Sequence, residues 1–216
     1  MSIATNINKI KSEIPSNVAL VAVSKTKPNA DLMQAYEAGQ RIFGENKIQE
    51  MTDKWEALPK DIEWHMVGHV QTNKVKYMAP YVKMIHAVHK MKLLKEINKH
   101  AKKENRVIDC LLQMKIAEED SKYGMTKEEI IDFLKDERLD NYKNVKIRGL
   151  MGMATFTDDE EQIKREFTQL KNLYHQLKSS HNFDVLSMGM TGDYKIAIEQ
   201  GSNMIRIGSK IFGARD

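Results

Sequence analysis

The chain has 216 residues, 41% of them hydrophobic, with a formal net charge of +4 and a single cysteine. That apolar content supports a sizeable core and excludes a disordered chain, and the length suits one barrel-sized domain or two small ones. No apolar run approaches the roughly 18 residues of a membrane span, the N-terminus lacks the continuous apolar stretch of a secretory signal, and Cys110 has no intramolecular disulfide partner, so a cytoplasmic protein is expected.

In chain order, residues 2–12 read as an amphipathic helix ahead of a first strand at 19–24. A helix over 30–38 follows Pro28 and Asn29 and stops at Gly39. Short apolar runs then predict strands at 41–43, 63–67, 84–88, 107–114, 146–150, 184–187 and 203–207, with 41–43 and 184–187 the least marked. Between them lie helical stretches at 45–57, 71–79, 90–103, 127–137, 158–179 and 192–200. The clearest is 158–179, where Ile163, Phe167, Leu170, Leu173 and Leu177 form one helical stripe. Asp158 and Asp159 complement its N-terminal dipole, and Gly201 caps the end of the 192–200 helix. Strands that are apolar throughout rather than alternating indicate a parallel sheet covered on both faces. Eight βα units predict an α/β fold, a single (β/α)8 TIM barrel over residues 1–216 with an extra N-terminal helix. An open doubly wound sheet is the rival.

Active sites of such barrels lie at the C-terminal ends of the strands. Lys25 sits where the first apolar run stops. A lysine at the mouth of a buried strand is poorly hydrated, and burial pushes its pKa below the usual value of about 10.4. A neutral amine there can attack an aldehyde, and pyridoxal phosphate is the one common cofactor that offers an aldehyde to lysine. A plain surface lysine is the alternative. The segments Ser187-Met188-Gly189-Met190-Thr191-Gly192-Asp193 and Arg206-Ile207-Gly208-Ser209 follow strands seven and eight, where this fold commonly binds phosphate. Glycines there admit an anion to the backbone and the hydroxyls of Ser187, Thr191 and Ser209 face it, unless these are ordinary glycine-rich turns. Neither loop carries a Walker or Rossmann fingerprint. Arg206 lies inside an apolar strand and needs a partner, either a core carboxylate or a bound ligand. The pairs His65/His69 and His86/His89 lack metal-site spacing and no cysteine cluster exists, so no metal is expected. The basic run 99–106 reads as a solvated helix end more readily than as a nucleic-acid contact.

These segments converge on a family. Ala22-Val23-Ser24-Lys25-Thr26-Lys27-Pro28, Phe43-Gly44-Glu45-Asn46, the stretch from Trp64 to Lys74, Gly149-Leu150-Met151, Ser187-Met188-Gly189-Met190, and Arg206-Ile207-Gly208 with Ile211-Phe212-Gly213-Ala214-Arg215 occur in family order along nearly the whole chain. The chain resembles the YggS/PROSC family of pyridoxal phosphate homeostasis proteins, which are alanine racemase N-terminal-domain-like. The resemblance implies pyridoxal phosphate held as a Schiff base on Lys25, with Asn46 and Met188 beside it. It gives Arg206 the pyridine nitrogen, and Ser187, Thr191, Gly208 and Ser209 the phosphate. Thr191 is often serine in relatives and Ser209 often threonine; both keep a hydroxyl.

Alanine racemases add a β-rich domain that brings a second proton-transfer base, and this chain stops after the last barrel segment. No catalytic residue is assigned. The resemblance therefore implies a non-enzymic, monomeric carrier or buffer in vitamin B6 and amino-acid homeostasis, with amino acids and pyridoxal phosphate-dependent apoenzymes as partners. A slow amino-acid racemase and a cofactor-regulated nucleic-acid or protein-binding module are the alternatives.

Overall fold

The structure is a computed structural model that describes residues 2–118 and 123–214. Eight parallel strands close on themselves: β1 (Ala19–Val23), β2 (Ile42–Glu45), β3 (Glu63–Met66), β4 (Met84–Val88), β5 (Ile108–Gln113), β6 (Val145–Met151), β7 (Val185–Ser187) and β8 (Met204–Ile207). Closure is made by β8 against β1, with Ala19, Leu20, Val21 and Ala22 opposite Met204, Ile205, Arg206 and Ile207. That pairing eliminates the open doubly wound sheet.

The helices are α1 (Ile3–Glu13), α2 (Asn29–Glu37), α3 (Ile48–Ala57), α4 (Val75–Met78), α5 (Met91–Lys103), α6 (Lys127–Leu134), α7 (Glu160–His181), α8 (Tyr194–Glu199) and α9 (Ser209–Phe212). The extra helix α1 buries Ile7 and Ile10. It is tied to the last two βα units, because Asn6 donates to the Ile211 carbonyl at 3.0 Å and Tyr194 donates to Glu13 at 2.7 Å. It thereby stands where the four-residue α9 is too short to cover the β8–β1 seam.

Strand side chains alternate between two cores, as the two-residue period requires. Leu20, Ala22, Ile205, Ile207, Leu186 and Met188 pack outward against the helices. Val21, Met84, Leu111, Met151, Val185 and Met204 fill the barrel interior. All five residues of the α7 stripe are buried. The Asp159 carboxylate accepts from the Glu161 and Gln162 N–H groups and caps the helix, and Asn182 closes it in the left-handed region at φ 53°.

Several boundaries differ from the sequence expectation. The second strand runs two residues further, so Gly44 and Glu45 lie within it, and α3 starts at Ile48 instead of 45. The 71–79 stretch divides into a 3₁₀ turn (Thr72–Lys74) and α4. The 127–137 helix stops at Leu134, and a 3₁₀ turn follows at Glu137–Asn141. In the basic run, Lys99 pairs with Glu96 and Arg106 donates to the carbonyls of Ala79, Tyr81 and Val82. The Arg106 charge therefore serves loop closure beneath α4. Cys110 is buried, and burial pushes its thiol pKa up, as for an inert structural cysteine.

Gly149 sets the tightest contact in the barrel. Its φ is +154°, and a Cβ built on it would stand 1.8 Å from the Val185 carbonyl oxygen. Gly149→Ala is therefore expected to force β6 away from β7 and cost about 3 kcal/mol or more. Urea unfolding of the variant checks this, and a loss below about 1 kcal/mol would contradict it.

Candidate cofactor site

A cavity of about 560 Å³ opens at the C-terminal ends of the strands, and its lining includes Lys25, Asn46, Thr191, Arg206, Gly208 and Ser209. Six residues proposed from the sequence thus meet in one place. Lys25 comes from the end of β1 and Asn46 from the end of β2. Arg206 comes from within β8, and Thr191, Gly208 and Ser209 from the loops after β7 and β8. Gly68, after β3, is required for Asn46 to sit where it does, since a Cβ on residue 68 would lie 2.4 Å from the Asn46 carbonyl oxygen.

Lys25 is partly buried and occupies a tight turn. Lys27 N–H donates to the Ser24 carbonyl at 3.1 Å, and Thr26 adopts φ +65°. A turn with positive φ at its third residue ordinarily takes glycine or asparagine. Threonine there is β-branched and costs about 1–3 kcal/mol, so surrounding contacts must hold it. They come from a charged cluster: buried Lys54 on α3, buried Glu45 at the end of β2, and half-buried Glu50 on α3. Burial raises the Glu45 carboxyl above its usual range against the pull of Lys54 and Ser24. Among the described residues its Oε2 has no hydrogen-bond partner.

Arg206 is 4% exposed. Sequence reasoning offered it a core carboxylate or a ligand; among the described residues no carboxylate stands within ion-pair distance. Nη1 donates to Ser187 Oγ at 2.6 Å, and Nη2 donates to the Gly152 carbonyl at 3.0 Å. Burial pulls the guanidinium down to about 10, partly opposed by the charge of Asp193. A guanidinium has five N–H donors. Two are used by these bonds, and Arg206 lines the cavity.

The Ser187 contact continues across the barrel interior. His86 Nδ1 lies 3.2 Å from Ser187 Oγ, and His86 Nε2 lies 3.0 Å from His65 Nδ1. Since arginine only donates, the Ser187 hydroxyl is left to donate to His86 Nδ1. That places the His86 proton on Nε2, which donates to His65. Desolvation, the largest influence on both rings, lowers His65 to about 3 and His86 well below its usual value. Both imidazoles are neutral at pH 7, and the chain is polar without adding charge.

Two residues proposed as cofactor contacts are placed differently. Ser187 is fully buried beneath the cavity and bonded to Arg206 and His86. Met188, the next residue, points the opposite way into the core beneath the helices. Alternation along β7 and its continuation explains both: an inward Ser187 requires an outward Met188. Neither lines the cavity. The last motif residue, Arg215, lies outside the described residues.

The loops after β7 and β8 are suited to an anion. Gly208 N–H points to Thr191 Oγ1 at 3.4 Å, linking the two loops. Among the described residues, the backbone N–H groups of Thr191, Gly192 and Ser209 meet no acceptor. Orphan N–H groups at the edge of a cavity are what a phosphate satisfies. A cavity holding a lysine amine, a buried donor-only cation and an amide cradle fits a ligand with an aldehyde, a ring nitrogen and a phosphate.

Glu166 and Tyr123 were not singled out from the sequence. Glu166 is buried on α7; it accepts from Thr155 N–H and Oγ1, each at 2.6 Å, and from Glu118 N–H at 3.1 Å. It therefore pins the loops that follow β5 and β6. Its signal was present, since a glutamate beside Phe167 and one turn from Leu170 falls on the apolar side of the α7 stripe. His69 and Tyr123 form part of the rim, their rings 5.1 Å apart. Among the described residues, no group of three or more His, Cys, Asp or Glu could hold a metal ion, and no helix is long and apolar enough to cross a membrane.

Fold and site together define a barrel built around a lysine and an anion cradle. The family model for the alanine racemase N-terminal domain matches residues 1–216. Curated relatives called pyridoxal phosphate homeostasis proteins include one from Vibrio alginolyticus, 37% identical over all of this chain and 98% of its own length. Another, from Pasteurella multocida, is 38% identical over all of this chain and 99% of its own length. The solved structure of PipY from Synechococcus elongatus with pyridoxal phosphate bound superposes with a TM-score of 0.88 at 31% identity, covering 98% of this chain and 100% of that one. An alanine racemase from Clostridium difficile shares the fold, with a TM-score of 0.84 at 12% identity, covering 99% of this chain and 57% of the racemase. The chain belongs to the alanine racemase N-terminal-domain family, within the branch of the pyridoxal phosphate homeostasis proteins.

The buried histidines predict a pH dependence. The unfolded chain protonates His65 near pH 6.5, the folded chain only near pH 3. Between those values the unfolded state binds the extra proton, so this stabilising contribution is present above pH 6.5 and is lost as pH falls toward 3. Each such histidine contributes a slope of up to about 1.4 kcal/mol per pH unit. His65→Gln should flatten the urea-derived stability curve of the wild type by about that amount between pH 6 and 4. Parallel curves for the two proteins would show that His65 is not held neutral.

Proposed function

We propose that this protein binds pyridoxal 5'-phosphate through Lys25 and serves intracellular vitamin B6 and amino-acid homeostasis as a carrier or buffer. The observation that carries this reading is that Lys25, Arg206 and the amide cradle share one cavity on three adjacent strands, β7, β8 and β1. When bound, pyridoxal phosphate supplies an aldehyde that takes up a primary amine with loss of water, a linkage that a second amine can displace. Lys25 is the amine for that aldehyde. Thr191, Gly192, Gly208 and Ser209 hold the phosphate by backbone N–H and hydroxyl groups. Asn46 orients the ring from the β2 side. Arg206 faces the ring nitrogen as a donor only, so that nitrogen accepts and stays unprotonated. An unprotonated pyridine draws electrons weakly, which suits storage better than carbanion chemistry. Ser187 and, through it, His86 fix the Arg206 guanidinium.

Residues 1–216 act as one domain in this reading, without enzymic turnover. Amino acids and cofactor-requiring apoenzymes are its partners, and the protein works as a cytoplasmic monomer. The exposed Ser209 and the exposed Phe156 at the rim are consistent with an opening wide enough for an incoming amine.

Borohydride reduction of protein loaded with pyridoxal phosphate, followed by peptide mass mapping, is expected to give a pyridoxyl adduct on Lys25. Lys25→Ala should abolish both the adduct and the yellow colour while leaving the melting temperature within a few degrees of wild type. An adduct on Lys27 in place of Lys25 would overturn the assignment. Incubation with L-alanine should give no racemisation above that of free cofactor; clear turnover would replace the carrier reading with a racemase.

A further inference from the structure

The turn that carries Lys25 is gripped from below by charged side chains of the following βα unit. Lys54 Nζ donates to the Ser24 carbonyl at 2.8 Å, to Glu45 Oε1 at 2.8 Å and to Glu50 Oε1 at 2.7 Å. These three bonds use every hydrogen of its ammonium. Ser24 Oγ donates to the same Glu45 oxygen at 2.6 Å, and Thr26 N–H donates to Glu50 Oε1 at 2.6 Å. The residues immediately before and after Lys25 are therefore each bonded to the cluster. Thr26 is also the residue held at φ +65°.

Burying two charges and half-burying a third is a poor way merely to dock α3 on the barrel, because apolar residues of similar volume do that at lower cost. Their distribution says what they add. Of five hydrogen bonds, two end on the backbone of the turn and a third ends on the Ser24 side chain. We propose that Lys54, Glu45 and Glu50 form a positioning clamp that fixes the backbone on both sides of Lys25, aims its amine into the cavity, and so sets how fast that amine reacts with an aldehyde ligand. The inference rests on the reading of Lys25 as the cofactor lysine. The clamp acts before any ligand arrives, so its effect is measurable on the apoprotein.

The test is competitive labelling of apoprotein with acetaldehyde, and separately with pyridoxal phosphate, each with cyanoborohydride. The adduct rate at Lys25 is read by peptide mass mapping against the exposed Lys92 and Lys210 as internal references. Lys54→Met leaves two carboxylates without their cation and can fail to fold. Glu50, whose side chain is 23% exposed, therefore carries the test. Glu50→Ala removes the acceptor of two charge-assisted hydrogen bonds, from Thr26 N–H and from Lys54, and is expected to slow Lys25 labelling by about tenfold or more, with the reference lysines unchanged. Glu50→Gln keeps an acceptor for Thr26 N–H and should recover to within about twofold of wild type. Wild-type labelling of Lys25 in Glu50→Ala, an equal loss in Glu50→Gln, or a parallel change at Lys92 and Lys210 would each overturn the clamp. If wild-type Lys25 reacts no faster than the reference lysines, the cofactor reading of Lys25 fails instead, so the two failures are distinct.

Discussion

A permanent positive charge sits inside this barrel without a carboxylate at ion-pair distance among the described residues, and much of the site follows from how Arg206 is accommodated. Burying an ion costs several kcal/mol even after relaxation, and the lowering of the Arg206 pKa to about 10 expresses that cost. Charge is nonetheless retained at neutral pH. The compensation is dipolar, from the Gly152 carbonyl and the Ser187 oxygen. Ser187 can present that oxygen steadily because its hydrogen is taken by a neutral His86, whose own donor is taken by His65. A charged imidazole in that line would reverse the bond to Ser187 and set two cations close together. Desolvation of the two rings thus protects the arginine, and the arginine in turn favours an occupant that accepts hydrogen bonds.

Loops above this interior are fixed by buried and half-buried carboxylates of opposite halves of the barrel. Glu45 and Glu50, with Lys54, hold the mouth at β1 and β2. Glu166 holds the loops after β5 and β6 by accepting from Thr155 and Glu118. Each carboxylate reaches backbone N–H groups or a turn side chain rather than the cavity. The rim is therefore set by groups that do not touch the ligand space, and the groups that do, Lys25 and Arg206 above all, are held from behind. Such a division is what a site needs to keep its geometry through repeated loading and release.

The barrel was legible because its signals are local. Eight apolar runs separated by helical periods are visible along the chain, and even β2 and β7, four and three residues long, appear within two residues of where the sequence places them. Lys25, Arg206 and the glycine-bearing loops were legible because they interrupt apolar strands or follow them. What escaped is what requires knowing which way a side chain faces. Ser187 and Met188 both belong to the matching motif, yet they lie on opposite sides of the strand line. Lys54 looks like an ordinary charge of α3, and Glu166, although it falls on the apolar side of α7, shows its purpose only when tertiary contact brings backbone donors to it. His65 and His86, 21 residues apart, become partners only when β3 and β4 pair.

The same arrangement explains how a racemase-type barrel can suit a carrier. Catalysis needs groups that bind the transition state better than the ground state. In the proposed reading the strongest fixed charge near the ring is Arg206, which opposes protonation of the nitrogen and so withholds the electron sink on which carbanion chemistry depends. Reversible capture asks for different things: an amine held at the right place, an anion cradle of fixed N–H groups, and access for a competing amine. Lys25 in its clamped turn, the Thr191–Gly192 and Gly208–Ser209 loops, and the solvent-facing rim at Phe156 and Tyr123 supply those three. In the proposed reading, holding in place of turnover rests on the electrostatics of β8 and the openness of the mouth; the barrel fold itself is shared with a racemase at 12% identity.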